Sequence, residues 1–508
     1  MNRLYILLMV LGSPIWLTAN STTEDWVKPI YKTIYQTRGD FSRPMPTLKI
    51  TDRVFNIAAY RPQSNELIIE AKAIAICQSM GNQAETALAF LIGHELTHFY
   101  QNHAGGFAFL LSKQQLNNQI AIEREADVYG AMLAYLAGYQ EIVTVLPTLI
   151  EVLYTDYQLD EQRMPAYPAK DARKQLIEEV TERVQALIQL YETAKYLSVV
   201  GQYSYAGDLY SYLNKFITTK EILNNLSVAY LNAAASIREF GKKNWAYPLT
   251  LDRTNPMRIP ADVQKQILLK KAAYHLKVAL QYDATYFASN LNYAIALTLQ
   301  GKYTEALTQL MATSNLTQDH PKTLSIRLLR GIILAEKGDQ AASIQLWQSV
   351  ARSGNDGLSQ LAQLNLRLIN GEAIGTGPSI RFLQPSSMLI DGINLQTRPT
   401  IQTGHVIRLN EDPFNPQTIT LQSSPRSTLA LLETLEQSVA VQFTRQPLEQ
   451  GIGKGTSIKK IKAAYNTTNA KIIPHNKAGF FMELPTLGLI LLFDAQERLE
   501  EWARIAYY

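Results

Sequence analysis

Cysteine is almost absent from the 508 residues: Cys77 is the only one, so no intrachain disulfide can form. It sits in the apolar run Ala73-Ile74-Ala75-Ile76-Cys77 and reads as a small buried hydrophobe, with no base near it to make a nucleophile. An excess of one charge is also missing. The chain has 48 Lys+Arg against 44 Asp+Glu, a formal net charge of +4, mixed without long like-charge blocks. Nothing in that balance marks a surface for nucleic acid or anionic lipid. Beyond the first twenty residues no apolar stretch reaches the roughly 18 residues of a membrane span. Histidine is scarce as well, at 7 residues. What remains is 46% hydrophobic and 18% charged, a globular composition, and the length implies roughly three domains.

The first twenty residues have the layout of a signal peptide. Met1-Asn2-Arg3 carries a positive charge, Leu4 to Leu17 is apolar with breaks at Gly12 and Pro14, and Thr18-Ala19-Asn20-Ser21 is small and polar. Cleavage near Ala19 or Ser21 is expected, with an uncleaved short anchor as the alternative. No cysteine follows the apolar run, so lipid attachment there is excluded. The expected location is periplasmic or secreted, without stable membrane insertion after cleavage. Export without disulfides fits a bacterial periplasm or exterior.

Four regions follow. Residues 25–81 combine a short helix with a hairpin whose strands are Val54 to Tyr60 and Glu66 to Ile69, joined by the turn Arg61-Pro62-Gln63-Ser64-Asn65. Residues 82–200 carry apolar residues at helical three- and four-residue spacing. Residues 188–372 contain a repeat: Gly201, Tyr203, Ala206 and Tyr210 are echoed by Gly301, Tyr303, Ala306 and Leu310, and then by Gly338, Ala341 and Trp347. Ala194, Ala294 and Gly331 stand seven positions before those glycines. A period in the mid-thirties, with small residues where paired helices touch, resembles tetratricopeptide repeats. Trp245, Pro248, Pro256 and Pro260 interrupt it, and a non-repeating helical bundle is the alternative. Gly371 to Ser379 reads as a linker, and 380–508 as one or two small β-rich modules of unknown role. Gly451-Ile452-Gly453-Lys454-Gly455 lacks phosphate-loop spacing and reads as a turn.

The chemistry concentrates in Asn82 to His103, a helix-like segment with Asn82 as a possible cap and Glu85 in its first turn. It contains His94-Glu95-Leu96-Thr97-His98. Residues i and i+4 share a helix face, so both imidazoles can hold one Zn²⁺. Glu95 can take the proton of a water that the metal acidifies and pass it to a leaving amine. With 7 histidines in 508 residues, chance would produce this pattern on the order of 0.005 times. The segment Glu123-Arg124-Glu125-Ala126-Asp127 begins 25 residues beyond His98. Glu123 supplies a third ligand from a second helix, which leaves the fourth position for water. Asp127, one turn on, faces the same way and can orient a ligand histidine, while Ala126 lets the helices approach. Glu125 is the alternative third ligand; otherwise it points elsewhere, solvated or paired with a cation.

Together these residues resemble the HtpX-like zinc metallopeptidases, the group that includes the CAAX prenyl endoproteases and the periplasmic BepA-like proteases. The family pattern is His-Glu-x-x-His followed by Glu-x-x-Ala-Asp, and His94, Glu95, His98, Glu123, Ala126 and Asp127 occupy it. His103, Gly130, Ala137-Gly138-Tyr139 and the strand Phe55-Asn56-Ile57-Ala58 are similar to family positions too. The resemblance covers about residues 25–200. Where relatives carry a histidine before a proline, this chain has Tyr167-Pro168, and Arg173 follows at the family spacing. The resemblance implies that Tyr167 donates a hydrogen bond to the developing oxyanion, with Arg173 beside it; the alternative is that both are structural.

The expected fold class is α+β: a mainly helical, zincin-type metalloprotease domain over 25–186, tetratricopeptide-like helices over 187–372 and β-rich structure over 380–508. The expected function is zinc-dependent endopeptidase action on misfolded or misassembled proteins of the cell envelope, with one Zn²⁺ per chain. Protein or peptide substrates, and an envelope assembly partner held by the repeats, are the expected partners, with no nucleic acid. An assembly chaperone or scaffold with minor or gated proteolysis is the alternative.

Overall fold

The computed structural model describes residues 18–54, 57–103, 119–158, 170–237, 261–317, 320–354, 356–372 and, with short breaks, 389–508. The architecture is α+β, and the chain divides into two compact units: Met1–Arg38 with Arg43–Val184, and Gly39–Ser42 with Gln185–Tyr508. Among the described residues, no helix is long and apolar enough to cross a membrane. Residues 1–17, the apolar part of the expected leader, lie outside the described residues.

In the first unit, α1 (Thr18–Arg38) turns Val27, Ile30, Tyr31 and Ile34 inward at helical spacing. A three-stranded sheet follows: β1 (Thr47–Thr51), β2 (Ala58–Arg61) and β3 (Glu66–Glu70), in the order β1-β3-β2. β2 and β3 are antiparallel, and β1 joins β3 in parallel. The hairpin is shorter than its sequence implies. β2 starts at Ala58, because Ile57 has φ 65°, a left-handed conformation that a β-branched residue rarely adopts and that breaks the extended run. Residues 55–56 are outside the described residues.

The helix α2 (Ala71–Ser79) follows β3 directly, and a 3₁₀ turn over Gly81–Gln83 leads into α3 (Ala84–His103). Asn82 therefore belongs to the 3₁₀ turn and is not the cap of α3. From Thr86 to Tyr100 every residue of α3 is buried except His94 and His98. A helix buried on nearly all sides needs close neighbours, and α4 (Gln119–Leu136) is one. A Cβ on Gly93 would lie 2.6 Å from the Gly130 carbonyl oxygen, and one on Gly130 would lie 2.5 Å from the His94 nitrogen. The two backbones touch at this pair of glycines. Ala126, expected to be the point of approach, is buried one turn away. The Arg38 guanidinium lies over the rings of Tyr100 (4.7 Å) and Tyr129 (5.1 Å), fastening α1 across α3 and α4. Then come α5 (Ile142–Asp156) and α6 (Lys170–Val199), whose first half belongs to this unit.

The second unit holds the rest of α6, then α7 (Tyr203–Leu213), α8 (Lys220–Ser236), α9 (Ala261–Tyr282), α10 (Phe287–Leu299), α11 (Tyr303–Ser314), α12 (His320–Glu336), α13 (Gln340–Ala351) and α14 (Asp356–Ile369). The repeated glycines each close a helix. Gly201, Gly301 and Gly338 have φ of 84°, 76° and 92°. The next N–H bonds back to Leu197, Leu297 or Leu334, at 2.9 Å in each case. This is the Schellman cap, which needs a left-handed residue at that position. Gly331 provides the expected small contact, since a Cβ there would meet Trp347 Nε1 at 2.4 Å. Residues 238–260, with Trp245 and the interrupting prolines, lie outside the described residues.

After a short antiparallel pair, β4 (Leu389–Ile390) with β5 (Ile393–Asn394), the remaining C-terminal strands form one eight-stranded antiparallel sheet, in the order β10-β11-β12-β13-β9-β8-β7-β6. Its members are β6 (His405–Arg408), β7 (Thr418–Ser423), β8 (Ser427–Glu433), β9 (Ser438–Thr444), β10 (Lys471–Pro474), β11 (Phe480–Leu484), β12 (Leu489–Phe493) and β13 (Leu499–Tyr507). The last strand lies mid-sheet, between β12 and β9, so the expected modules share one sheet. Tyr196 of α6 packs on Phe443 and Phe481 at 5.9 and 6.1 Å between ring centres. The helical region and the sheet thus belong to the same unit.

The glycine crossing is testable. Gly93→Ala or Gly130→Ala is expected to destabilise the chain by about 1–3 kcal/mol, because the new methyl forces two backbones apart. Thermal unfolding measures this, and a midpoint equal to the parent's would mean that the crossing has room to spare.

Candidate metal centre

His94 and His98 are one turn apart on the open face of α3, and Glu123 reaches them from the first turns of α4. The two Nε2 atoms are 3.2 Å apart. Glu123 Oε2 is 3.3 Å from His94 Nε2, and its Oε1 is 3.6 Å from His98 Nε2. Ligands at about 2.0–2.2 Å around a tetrahedral Zn²⁺ are separated by about 3.3–3.5 Å, so the three donors fit one ion. Among the described residues this is the group of His, Cys, Asp and Glu side chains able to hold a metal. The three side chains keep 13%, 21% and 31% of their surface exposed, which lets water reach the site.

The neighbours of these ligands decide what they can do. His94 Nδ1–H donates to Asp127 Oδ1 at 2.9 Å, which turns Nε2 toward Glu123 and His98. Burial alone would lower the His94 pKa. The hydrogen bonds to Asp127 and Glu123 outweigh it and raise the value to about 10. A metal ion binding here therefore displaces a proton. His98 Nδ1 meets Gln101 Oε1 at 3.0 Å, one turn along α3.

Glu95 is buried, only 8% exposed. A carboxylate in that position needs a donor, and the Tyr60 backbone N–H supplies one to Oε2 at 2.7 Å. Tyr60 lies on β2, at the edge of the three-stranded sheet, and its ring meets Phe99 of α3 edge-on at 5.4 Å. Burial pushes the Glu95 carboxyl above the usual range, against the opposing pull of His94, His98 and the Tyr60 N–H. A buried carboxyl beside a metal site, with raised proton affinity, is suited to accepting a proton.

Glu125 is not in the convergent group. Burial pushes its carboxyl up to about 7, opposed by the Arg183 charge and by a hydrogen bond from the Gln101 side chain. Tyr167 lies outside the described residues. Arg173 falls in the first turn of α6 and His103 ends α3, and the side chains of both are also outside them. Gln101 and the Tyr60 N–H were not legible as site groups. Gln101 stands three residues after a ligand histidine, a spacing that places it within reach, but an exposed glutamine would look the same. A backbone donor leaves no trace in residue type.

No protein-family model matches the chain, and no curated protein is significantly similar to it. The candidate metal centre therefore rests on its own residues and their geometry.

Asp127→Ala is expected to weaken zinc binding about 10–100-fold, since it removes the acceptor that fixes the His94 tautomer. Zinc affinity, measured by chelator competition, should fall while the helical circular-dichroism signal is retained. Unchanged affinity would reduce Asp127 to a packing residue.

Proposed function

We propose that the chain is a zinc-dependent endopeptidase of gluzincin type, acting in the cell envelope on misfolded or misassembled proteins. The observation that carries this reading is the convergence of His94, His98 and Glu123 within 3.2–3.6 Å, next to a buried Glu95 one residue from the first ligand. Zinc, when bound, supplies Lewis acidity toward water and a peptide carbonyl. The chain's own groups do the rest. His94, His98 and Glu123 hold the ion, and Asp127 keeps the His94 lone pair turned toward it. Glu95, oriented by the Tyr60 N–H, takes a proton from the attacking water and returns it to the leaving amine. β2, an edge strand of its sheet, is the one that a substrate backbone in extended form would join.

Other parts of the proposal rest on sequence alone. Tyr167 supplies a further donor to the oxyanion, with Arg173 close to it. The helical hairpins after residue 187 act as tetratricopeptide-type repeats that recruit substrate or an assembly partner. The envelope location rests on the leader-like residues 1–20.

Purified chain is expected to hold one zinc per molecule and to cleave an unfolded casein-type substrate, with a chelator abolishing cleavage. Glu95→Gln should keep the zinc and lose turnover by several orders of magnitude, because only the proton-transfer group changes. A Glu95→Gln variant as active as the parent would remove Glu95 from the role of base. A zinc-loaded parent that cleaves nothing yet rescues an envelope defect would favour the scaffold reading. Tyr167→Phe should lower kcat by about 10²–10³ with little change in KM, the cost of one oxyanion donor. A kcat within about twofold of the parent would rule that donor out.

A further inference from the structure

The second unit carries a surface that the metal site does not use. Nine large apolar side chains are exposed among the described residues, and three of them, Val263, Ile267 and Tyr274, stand on α9 at 46%, 43% and 64% exposure. No other helix or strand carries more than one of the nine. Gln266, Lys270, Lys271, Lys277 and Gln281 of α9 are exposed as well. At about 3.6 residues per turn these eight positions fall on a single arc of about 140°, running about 27 Å along the helix. The opposite side of α9 is fixed in place: Leu269, Ala272 and Leu276 are buried with Leu231 and Ala234 of α8 and Ala296 of α10.

The arc carries charge of one sign, since none of its eight residues is acidic. Among the described residues no ion pair holds Lys270, Lys271 or Lys277. Lys271 and Lys277 instead lie over the rings of Tyr230 and Tyr293, at 5.5 and 5.8 Å, and Asp208 of α7 is the carboxylate whose charge reaches Lys271. The near-balance of charge over the whole chain conceals this local excess. A protein partner is recognised by fixed, directional groups and matched shape. The arc offers flexible lysines and two glutamines with apolar side chains between them, and an anionic bilayer surface asks for no more than apolar depth and positive charge. Lysine stems lie along apolar surface while their ammonium groups reach out to phosphates, and a tyrosine ring with its polar tip suits the same boundary. We propose that this arc of α9 is a peripheral docking surface for an anionic lipid bilayer. Val263, Ile267 and Tyr274 enter the boundary between headgroups and acyl chains, and Lys270, Lys271 and Lys277 hold the headgroup phosphates. The proposal is independent of the metal-site reading and needs no membrane-spanning segment.

The test is co-sedimentation of the purified full-length chain with phosphatidylcholine vesicles, and with vesicles of phosphatidylcholine and phosphatidylglycerol in equal parts. The parent is expected to bind the mixed vesicles at least about tenfold more tightly than the neutral ones, and to be released by about 0.5 M salt, which screens the lysines. Lys270→Gln/Lys277→Gln should weaken binding to the mixed vesicles about 10–30-fold. Ile267→Gln/Tyr274→Gln keeps the lysines and should weaken it about tenfold. All four positions are exposed, so thermal unfolding of both variants should match that of the parent. Lys459→Gln/Lys460→Gln removes the same charge from the exposed side of helix Ile458–Ala464 and should change binding less than about twofold. Equal binding to both kinds of vesicle, or binding to neither, overturns the proposal. Binding to the mixed vesicles that both α9 variants retain also overturns it, because the attachment then lies elsewhere, as in the apolar residues 4–17. A loss shared equally by the Lys459 and Lys460 control overturns it too, because the vesicles then sense overall charge and not this arc.

Discussion

Two helices can touch backbone to backbone only where neither carries a side chain, and the site is built around one such contact. Helix axes ordinarily stand about 8–10 Å apart, held off by the residues between them. Gly93 and Gly130 remove that spacer from α3 and α4. The residues of the candidate site are counted outward from this point. His94 adjoins the α3 glycine, and Asp127 stands three residues before the α4 glycine, so their hydrogen bond forms at the crossing itself. Glu123, a further turn back along α4, then reaches both histidines with one carboxylate. Moving the axes apart by a methyl group would lengthen all of these distances together.

The same closeness makes α3 a buried helix, which restricts what it can carry. Between Thr86 and Tyr100, two of the polar side chains that lie inside are answered by backbone groups. Thr97 Oγ1 returns its hydrogen to the Gly93 carbonyl at 2.8 Å, and Glu95 accepts from the Tyr60 N–H at 2.7 Å. In a medium of low dielectric such bonds are stronger, and an unanswered group costs more. The opening left on the helix is the pair His94 and His98. Burial therefore serves as a selection device: it holds a single face available to solvent and places two imidazoles on it.

How much of this was legible follows from where the determining partner lies. The His94–His98 pair and the Glu123–Asp127 pair could be read because each is a one-turn spacing within one helix, and histidine is rare in this chain. The capping glycines could be read because Gly201, Gly301 and Gly338 recur with their neighbours. The partnership of Gly93 with Gly130 could not, since a lone glycine within a helical pattern does not say what it faces. Strand β13 was missed for the same reason. Glu501 and Arg504 make Leu499–Tyr507 look like an exposed segment. In the fold Glu501 meets Lys195, Tyr196 and Arg445, while Arg504 bonds Gln442 at 2.9 Å and the Ile393 carbonyl at 2.6 Å. Charges answered by residues 56 to 306 positions away cannot be recognised as buried from local pattern. β1 fails differently: it is five residues long, and none of them is fully buried.

Charge explains why the two histidines are supported unequally. Three carboxyl groups already stand at or beside the cluster: Glu123 facing both imidazoles, Asp127 behind His94, and Glu95 within the helix. A carboxylate behind a ligand histidine makes the imidazole a stronger donor, and a stronger donor leaves a metal less acidic toward its remaining ligand. Placing a fourth carboxylate directly behind His98 would add like charge in a confined space, with mutual repulsion raised by the low dielectric. A neutral amide provides the same acceptor geometry without the charge. Rigid orientation of both imidazoles and restraint on the local negative charge are thus met together, and the site needs both if it is to hold a divalent ion and still polarise what binds to it.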